Sequence, residues 1–222
     1  MNTYQSNGNL TIHNESTYQG LTVLKGYALV KEYLDAIHGV MGNAMSEYSR
    51  VVVMRFDLHL PLLVSCPDFP LAHDTNVITR FMESVKAQLK ARTEAKSRKG
   101  IRVRPCTVRY IWVKERNESS QPHYHIALVL NRDAYGGFGS FGEVGNNLAG
   151  VIYKAWARVL SYEPEDVVNL VHFPKNPLHF LTRHSPEYSQ QCNQAFQRLS
   201  YFAKAETKWY GTRAKNFGCS RR

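Results

Sequence analysis

Two histidines separated by one residue, His123 and His125 in the run QPHYHIALVL at 121–130, have the clearest chemical potential in this chain. On a strand, successive side chains alternate faces, so the pair projects the same way and both imidazoles can reach one ion or one phosphate. Tyr124, Ile126 and Leu128 then turn toward a core. A pair of half-exposed strand histidines has the same spacing, so the neighbouring segments must decide between the two readings. Glu115 closes a β-branched and aromatic strand at 107–115 (TVRYIWVKE), and a polar connection at 116–122 follows it. Two strands joined by a short polar loop form an antiparallel hairpin, in which Glu115 lies beside the histidines. One carboxylate with two imidazoles makes half a shell for Mg²⁺ or Mn²⁺, with positions left for water and a phosphate oxygen.

Two further segments carry chemistry. In RVVVMRFDLHL at 50–60, Val52, Met54, Phe56, Leu58 and Leu60 alternate with Val53, Arg55, Asp57 and His59, so one face is apolar and the other ionisable. That ionisable face is either a solvated surface or the floor of a site. At 190–209 a helix is expected, with Gln194, Gln197, Tyr201, Lys204 and Lys208 on one stripe and Phe196, Leu199 and Ala203 roughly opposite. The stripe offers one phenol among polar and basic neighbours.

The elements that must position these residues follow from periodicity. Helices are expected at 24–48, 74–95 and 144–160, a strand at 167–173, and irregular chain with three prolines at 173–186. Residues 1–20 read as a loose arm or an early strand. The glycines at 136, 137, 139, 142 and 145 lack a following P-loop lysine and serine or threonine, which makes that stretch a mobile loop and not a nucleotide cradle. Between 86 and 104, Lys86, Lys90, Arg92, Lys96, Arg98, Lys99, Arg102 and Arg104 face only one acid, Glu94, a balance that suits phosphate contact.

Composition sets the outer limits. The chain has 222 residues, 43% of them hydrophobic and 12% aromatic, enough for one domain with a real core. A formal charge of +10 favours an anionic partner such as nucleic acid. No signal peptide or long apolar span is present, and Cys66, Cys106, Cys192 and Cys219 show no C-x-x-C spacing. A soluble cytoplasmic protein with free thiols is the expectation, with no membrane partner.

Three motifs, VVVMRFDLHLP at 51–61, PHYHIAL at 122–128 and YFAK at 201–204, together resemble the HUH endonuclease superfamily. Within it the chain is similar to the inovirus and prophage replication-protein family that initiates rolling-circle replication. The resemblance implies an α+β fold, a five-stranded antiparallel sheet flanked by helices, with the histidines on a central strand and the tyrosine on a helix packed across it. It divides the chain into an N-terminal arm and helix at 1–45 and an endonuclease domain at 46–222. It makes His123 and His125 metal ligands, Tyr201 the nucleophile and Lys204 its basic companion. Glu115 matches the acidic residue that commonly completes the metal shell, with Asp57 and His59 as rivals, and Arg55 and Lys208 are expected to contact DNA. The chain departs from the family in having Tyr124 where a smaller aliphatic residue is usual.

The activity so implied is nicking and rejoining of single-stranded origin DNA through a 5′-phosphotyrosine link that leaves a free 3′-OH. With no Walker motif, unwinding falls to a separate host helicase. Relaxases and single-strand transposases share this chemistry. A DNA-binding protein on the same fold, without cleavage, is the alternative. A zinc-structured protein would need more cysteines in spacing, and a histidine-triad hydrolase would need a third histidine where Ala127 stands.

Overall fold

A computed structural model describes residues 10–61, 76–115, 122–206, 208 and 215–221. Strands β1 (Ile12–His13), β2 (Thr17–Tyr18), β3 (Leu21–Thr22) and β4 (Leu29–Val30) precede helix α1 (Lys31–Glu47) and the long strand β5 (Arg50–His59). Helix α2 (Val77–Arg98), strands β6 (Arg109–Glu115) and β7 (His123–Asn131) and helix α3 (Leu148–Leu160) follow. Strands β8 (Val171–His172) and β9 (Leu178–Thr182), helix α4 (Tyr188–Ser200) and strand β10 (Phe217–Cys219) complete the chain.

The main sheet is antiparallel throughout, in the order β10-β6-β7-β5-β8, with β9 also paired to β5. Among the described residues it holds six strands, and two short ones share the position beyond β5. β8 covers Asp57 and Leu58, and β9 covers Arg50 to Met54. The three prolines at 174, 177 and 186 read as irregular chain, but they bracket β9 and leave its own residues free to pair.

Alternation in β5 and β7 sorts the residues between two cores. Val52, Met54, Phe56 and Leu58 of β5, with Tyr124, Ile126 and Leu128 of β7, meet α2 and α3 on one face. Val51, Val53, Ala127 and Val129 meet α1 and α4 on the other. Both faces are covered by helices, which is why eight consecutive residues of β5, Val51 to Leu58, are buried. Trp156 of α3 donates its indole N–H to the carbonyl of His59 at 3.0 Å and so fixes the end of β5. The glycine-rich stretch is anchored by Phe138, buried against Phe56 and Phe173.

Several boundaries differ from their sequence expectation. α1 starts at Lys31, since Leu29 and Val30 pair with Ile12 and His13. α3 starts at Leu148, where the Asn147 side chain accepts the Gly150 N–H at 2.8 Å. The strand expected at 167–173 is a 3-10 turn at Val168–Leu170 and pairs only at Val171–His172, as β8. Residues 74 and 75 and Cys66 lie outside the described residues; Cys106, Cys192 and Cys219 are free thiols.

At the N-terminal end, Gln19 and Gly20 both have positive φ, 48° and 78°, forming the tight turn between β2 and β3. This hairpin and the chain after it strap α4: Thr22 N–H donates to Asn193 Oδ1 at 2.9 Å, and Leu24 N–H to Ser200 Oγ at 2.8 Å. Among the described residues no helix is long and apolar enough to cross a membrane.

Phe56 is fully buried and meets the rings of Phe81, Phe138 and Phe173. Phe56→Ala is expected to lower unfolding free energy by about 3–5 kcal/mol, measured by denaturant titration with the slope unchanged.

Candidate active site

Strand register builds the site. The β6–β7 pairing sets Glu115 opposite His123 and Val113 opposite His125. The β5–β7 pairing sets His59 opposite His123, Asp57 opposite His125 and Arg55 opposite Ala127. Directly opposed residues share a face with Cβ atoms about 5 Å apart, so three adjacent strands deliver Glu115, His123, His125, Asp57, His59 and Arg55 to one end of the α1/α4 face. Glu115, His123 and His125 each offer a ligand atom, and these atoms all lie within 4.8 Å of one another.

The two histidines differ in environment. His125 is buried; its Nδ1 is 2.7 Å from Asp57 Oδ1 and its Nε2 is 3.3 Å from Glu115 Oε2. Burial works against its charge, but the hydrogen bonds to the two carboxylates outweigh burial and raise its pKa above the ordinary value. With Nδ1–H given to Asp57, the Nε2 atom is the one left to face Glu115 and His123, an arrangement common around metal-bound imidazoles. Asp57 therefore lies behind His125, and His59 stacks on His123 with ring centroids 5.5 Å apart. His123 is only partly buried, and burial together with the His125 charge pushes it down to about 4, so it stays neutral with a free lone pair at pH 7.

Glu115 is the shared acceptor. Burial pushes its carboxyl up, yet the His125 hydrogen bond and the charges of Lys208, His125 and Lys204 hold it far below the usual carboxylate range. Lys208 Nζ bonds Oε1 at 3.0 Å, while Oε2 faces His125, the Tyr201 hydroxyl at 3.4 Å and Lys204 Nζ at 3.9 Å. Lys208 has a fully buried side chain, and burial lowers its pKa to about 8 against the pull of Glu115.

Tyr201 reaches this cluster from the turn after α4. Its ring lies edge-on to His125 at 5.4 Å, and its hydroxyl accepts from Lys204 Nζ at 3.3 Å. The Arg55 guanidinium sits over the Tyr201 ring at 5.1 Å and the Phe202 ring at 5.4 Å. Burial and the Glu115 charge raise the phenol's pKa, with Lys204 and Arg55 opposing them. The resting phenol is thus protonated and aimed at Glu115.

Glu115, His123, His125, Tyr201 and Lys204 therefore converge, but not on the helical stripe read from the sequence. α4 ends at Ser200, Tyr201–Ala203 form a 3-10 turn, and Lys204 is extended, bridged to Leu29. Ala205 N–H donates to the Ala28 carbonyl at 2.9 Å, so the returning N-terminal segment captures the chain where a helix would continue. Arg55 and Lys208 were expected to face DNA; both are buried, Arg55 beside Asp57 two residues along the same strand and Lys208 bonded to Glu115, 93 residues away in sequence. The connection at 116–121 lies outside the described residues.

The cationic run occupies α2 and the chain after it, and α2 packs on the opposite sheet face. There Arg92 donates to the carbonyls of Asn146 and Asn147, and Lys86 lies over the Tyr110 ring. Sequence reasoning missed His172, 3.6 Å from Asp57, and Tyr27, over whose ring Lys204 lies at 5.3 Å. No periodic signal marks either residue.

No solved structure matches the chain. It is 36% identical over 208 residues to "Uncharacterized protein YagK" of Escherichia coli (strain K12), covering 92% of this chain and 97% of that one. It is 32% identical over 197 residues to "Uncharacterized protein YfjJ" of the same organism, covering 86% and 95%. The model of the YagK/YfjJ C-terminal domain matches residues 12–220, and the chain belongs to that family.

Proposed function

We propose that the chain is a single-stranded DNA nickase and strand transferase of the HUH type, acting from the cluster around Glu115 to start rolling-circle replication of a phage or mobile element. The observation that carries this reading is the convergence of the Tyr201 hydroxyl, Lys204 and three metal-competent side chains at one sheet end. A carboxylate with two imidazoles, one backed by Asp57, is a donor set suited to Mg²⁺ or Mn²⁺. Bound by Glu115, His123 and His125, such an ion would offset negative charge developing on the non-bridging oxygens of a phosphodiester.

The chain's own residues account for the remaining chemistry. Tyr201 attacks phosphorus, forming a phenolic P–O bond while the bond to the 3′-oxygen breaks, and the phenolic proton ends on the departing 3′-OH. Lys204, 3.3 Å from the phenolic oxygen, favours the phenolate and is placed to carry that proton. The covalent ester retains the bond energy, so the reverse attack rejoins strands. Arg55 holds the tyrosine ring from above and positions it. A separate helicase would open the duplex.

One observation favours a second reading, a DNA-binding protein without cleavage. Lys208 already neutralises Glu115 at 3.0 Å, so the cluster is charge-satisfied with no ion present. The two readings separate on a denaturing gel of protein mixed with Mn²⁺ and labelled single-stranded oligonucleotides tiled across the DNA flanking its gene. The nickase gives a covalent adduct that Tyr201→Phe abolishes and that Lys204→Ala slows by about 100-fold or more. Retarded bands under native conditions with no adduct would leave only the binder.

The metal part has its own checks. Mn²⁺ should raise the melting temperature, and Asp57→Asn should weaken Mn²⁺ binding by about 10–100-fold in calorimetric titration. His125, held protonated above the ordinary histidine range between Asp57 and Glu115, must lose a proton to ligate. Mn²⁺ affinity and the melting increment should therefore grow as pH rises through and beyond the ordinary histidine range. A pH-independent increment would contradict His125 as a ligand.

A further inference from the structure

The face of α4 that ends at Tyr201 carries more polar groups than the reaction uses. Gln194, Gln197 and Arg198 precede Tyr201 by seven, four and three residues, which on a helix sets them on one stripe leading to the phenol. They line an open groove of about 790 Å³, whose lining also includes Pro177, Leu178 and His179 beside and on β9. In the β5–β9 register His179 opposes Val53, which puts its ring on the face that bears Arg55 and Asp57. The Arg55 backbone N–H donates to the Pro177 carbonyl at 2.8 Å, so the groove and the catalytic cluster share a strand.

Three features set this groove apart from an ordinary surface gap. His179 Nε2 is buried and has no hydrogen-bond partner among the described residues. Gln191 and Asn193 on the same helix are committed, to Thr182 N–H at 2.8 Å and Thr22 N–H at 2.9 Å. By contrast, the amides of Gln194 and Gln197 hold no partner among the described residues. Arg198 has no carboxylate within ion-pair distance among those residues; burial and the like charge of Arg55 work against its cation, and Asp57, beyond that distance, offsets them only in part. An anion beside Arg198 would relieve that repulsion, and Arg198 precedes Tyr201 by only three residues, across the junction of α4 with its 3-10 turn.

We propose that this groove takes an unpaired nucleotide of single-stranded DNA next to the scissile phosphate, its base read by Gln194, Gln197 and His179 and the adjoining phosphate held by Arg198. Each glutamine amide offers a donor and an acceptor to a base edge, and a guanidinium suits a backbone phosphate. Pro177 and Leu178 supply an apolar surface for the base, and the volume falls in the range of small-ligand sites. The inference rests on the single-stranded DNA reading of the neighbouring site, and it assigns that site's sequence preference to α4 and β9.

The test uses the full chain carrying Tyr201→Phe, mixed with a single-stranded DNA pool with a randomised centre; the bound fraction is sequenced. A base preference at one or two adjacent positions is expected. Gln194→Ala with Gln197→Ala should erase or switch that preference. Gln197→Glu, which keeps the side chain's shape and removes its donors, should switch it too. Arg198→Ala should weaken binding to every sequence and reduce the slope of log affinity against log salt by about one. The same preference in wild-type and double-variant grooves, or no preference in the wild-type groove, overturns the inference. If Tyr201-intact protein forms an adduct while the preference ignores the groove, only this inference fails. A groove-dependent preference without any adduct overturns the nicking reading alone, and absence of binding overturns both.

Discussion

A buried carboxylate costs several kcal/mol unless its charge is matched, and the Glu115 carboxylate is the group on which this structure turns. It sits at the end of β6, 2% exposed, opposite His123. Lys208, His125, Lys204 and Tyr201 all point at it. Removing the negative charge would leave buried cations facing one another. Lys208 holds Oε1 and His125 faces Oε2, so an ion at Glu115 would compete with both for the same carboxylate.

The two sheet faces divide the work. On the α2/α3 face, aromatic and aliphatic side chains, Tyr124 and Tyr153 among them, pack into a core. The α1/α4 face is apolar over Val51, Val53, Ala127 and Val129, then becomes ionisable at the end where three strands finish together. Tyr201 is delivered there because the N-terminal segment bonds to Ser200 and Ala205 and pairs Leu29 with Lys204. Residues before α1 thus shape the site through α4, although they contribute few side chains to it.

The parts of the site legible in the sequence are those governed by local rules. Alternation along 51–60 and 123–130 assigned each side chain to a face, and the short connection before His123 put Glu115 beside the histidines but left Asp57 and His59 as its rivals. The helical stripe found Tyr201 and Lys204 for a reason only half correct, since α4 ends before them. No glycine or proline marks that end; a distant segment imposes it by pairing. Burial of Arg55 and Lys208 was not legible: the i,i+2 spacing of Arg55 and Asp57 does not say that their shared strand face is covered, and Glu115, the partner of Lys208, is 93 residues away. Asp57 faced the same ambiguity, and only the 2.7 Å contact to His125 Nδ1 shows which side of the histidine it supports. β9 was hidden by its flanking prolines and β10 by its length of three residues.

The most direct test of the central claim is an anomalous-difference map from crystals of the full chain soaked in Mn²⁺. A single strong peak among Glu115, His123 and His125, with the Lys208 ammonium withdrawn from Glu115 and the Tyr201 hydroxyl beside the ion, is the predicted result. No peak at saturating Mn²⁺, with Lys208 still bonded to Glu115, would contradict it and reduce the cluster to an internal ion-pair network.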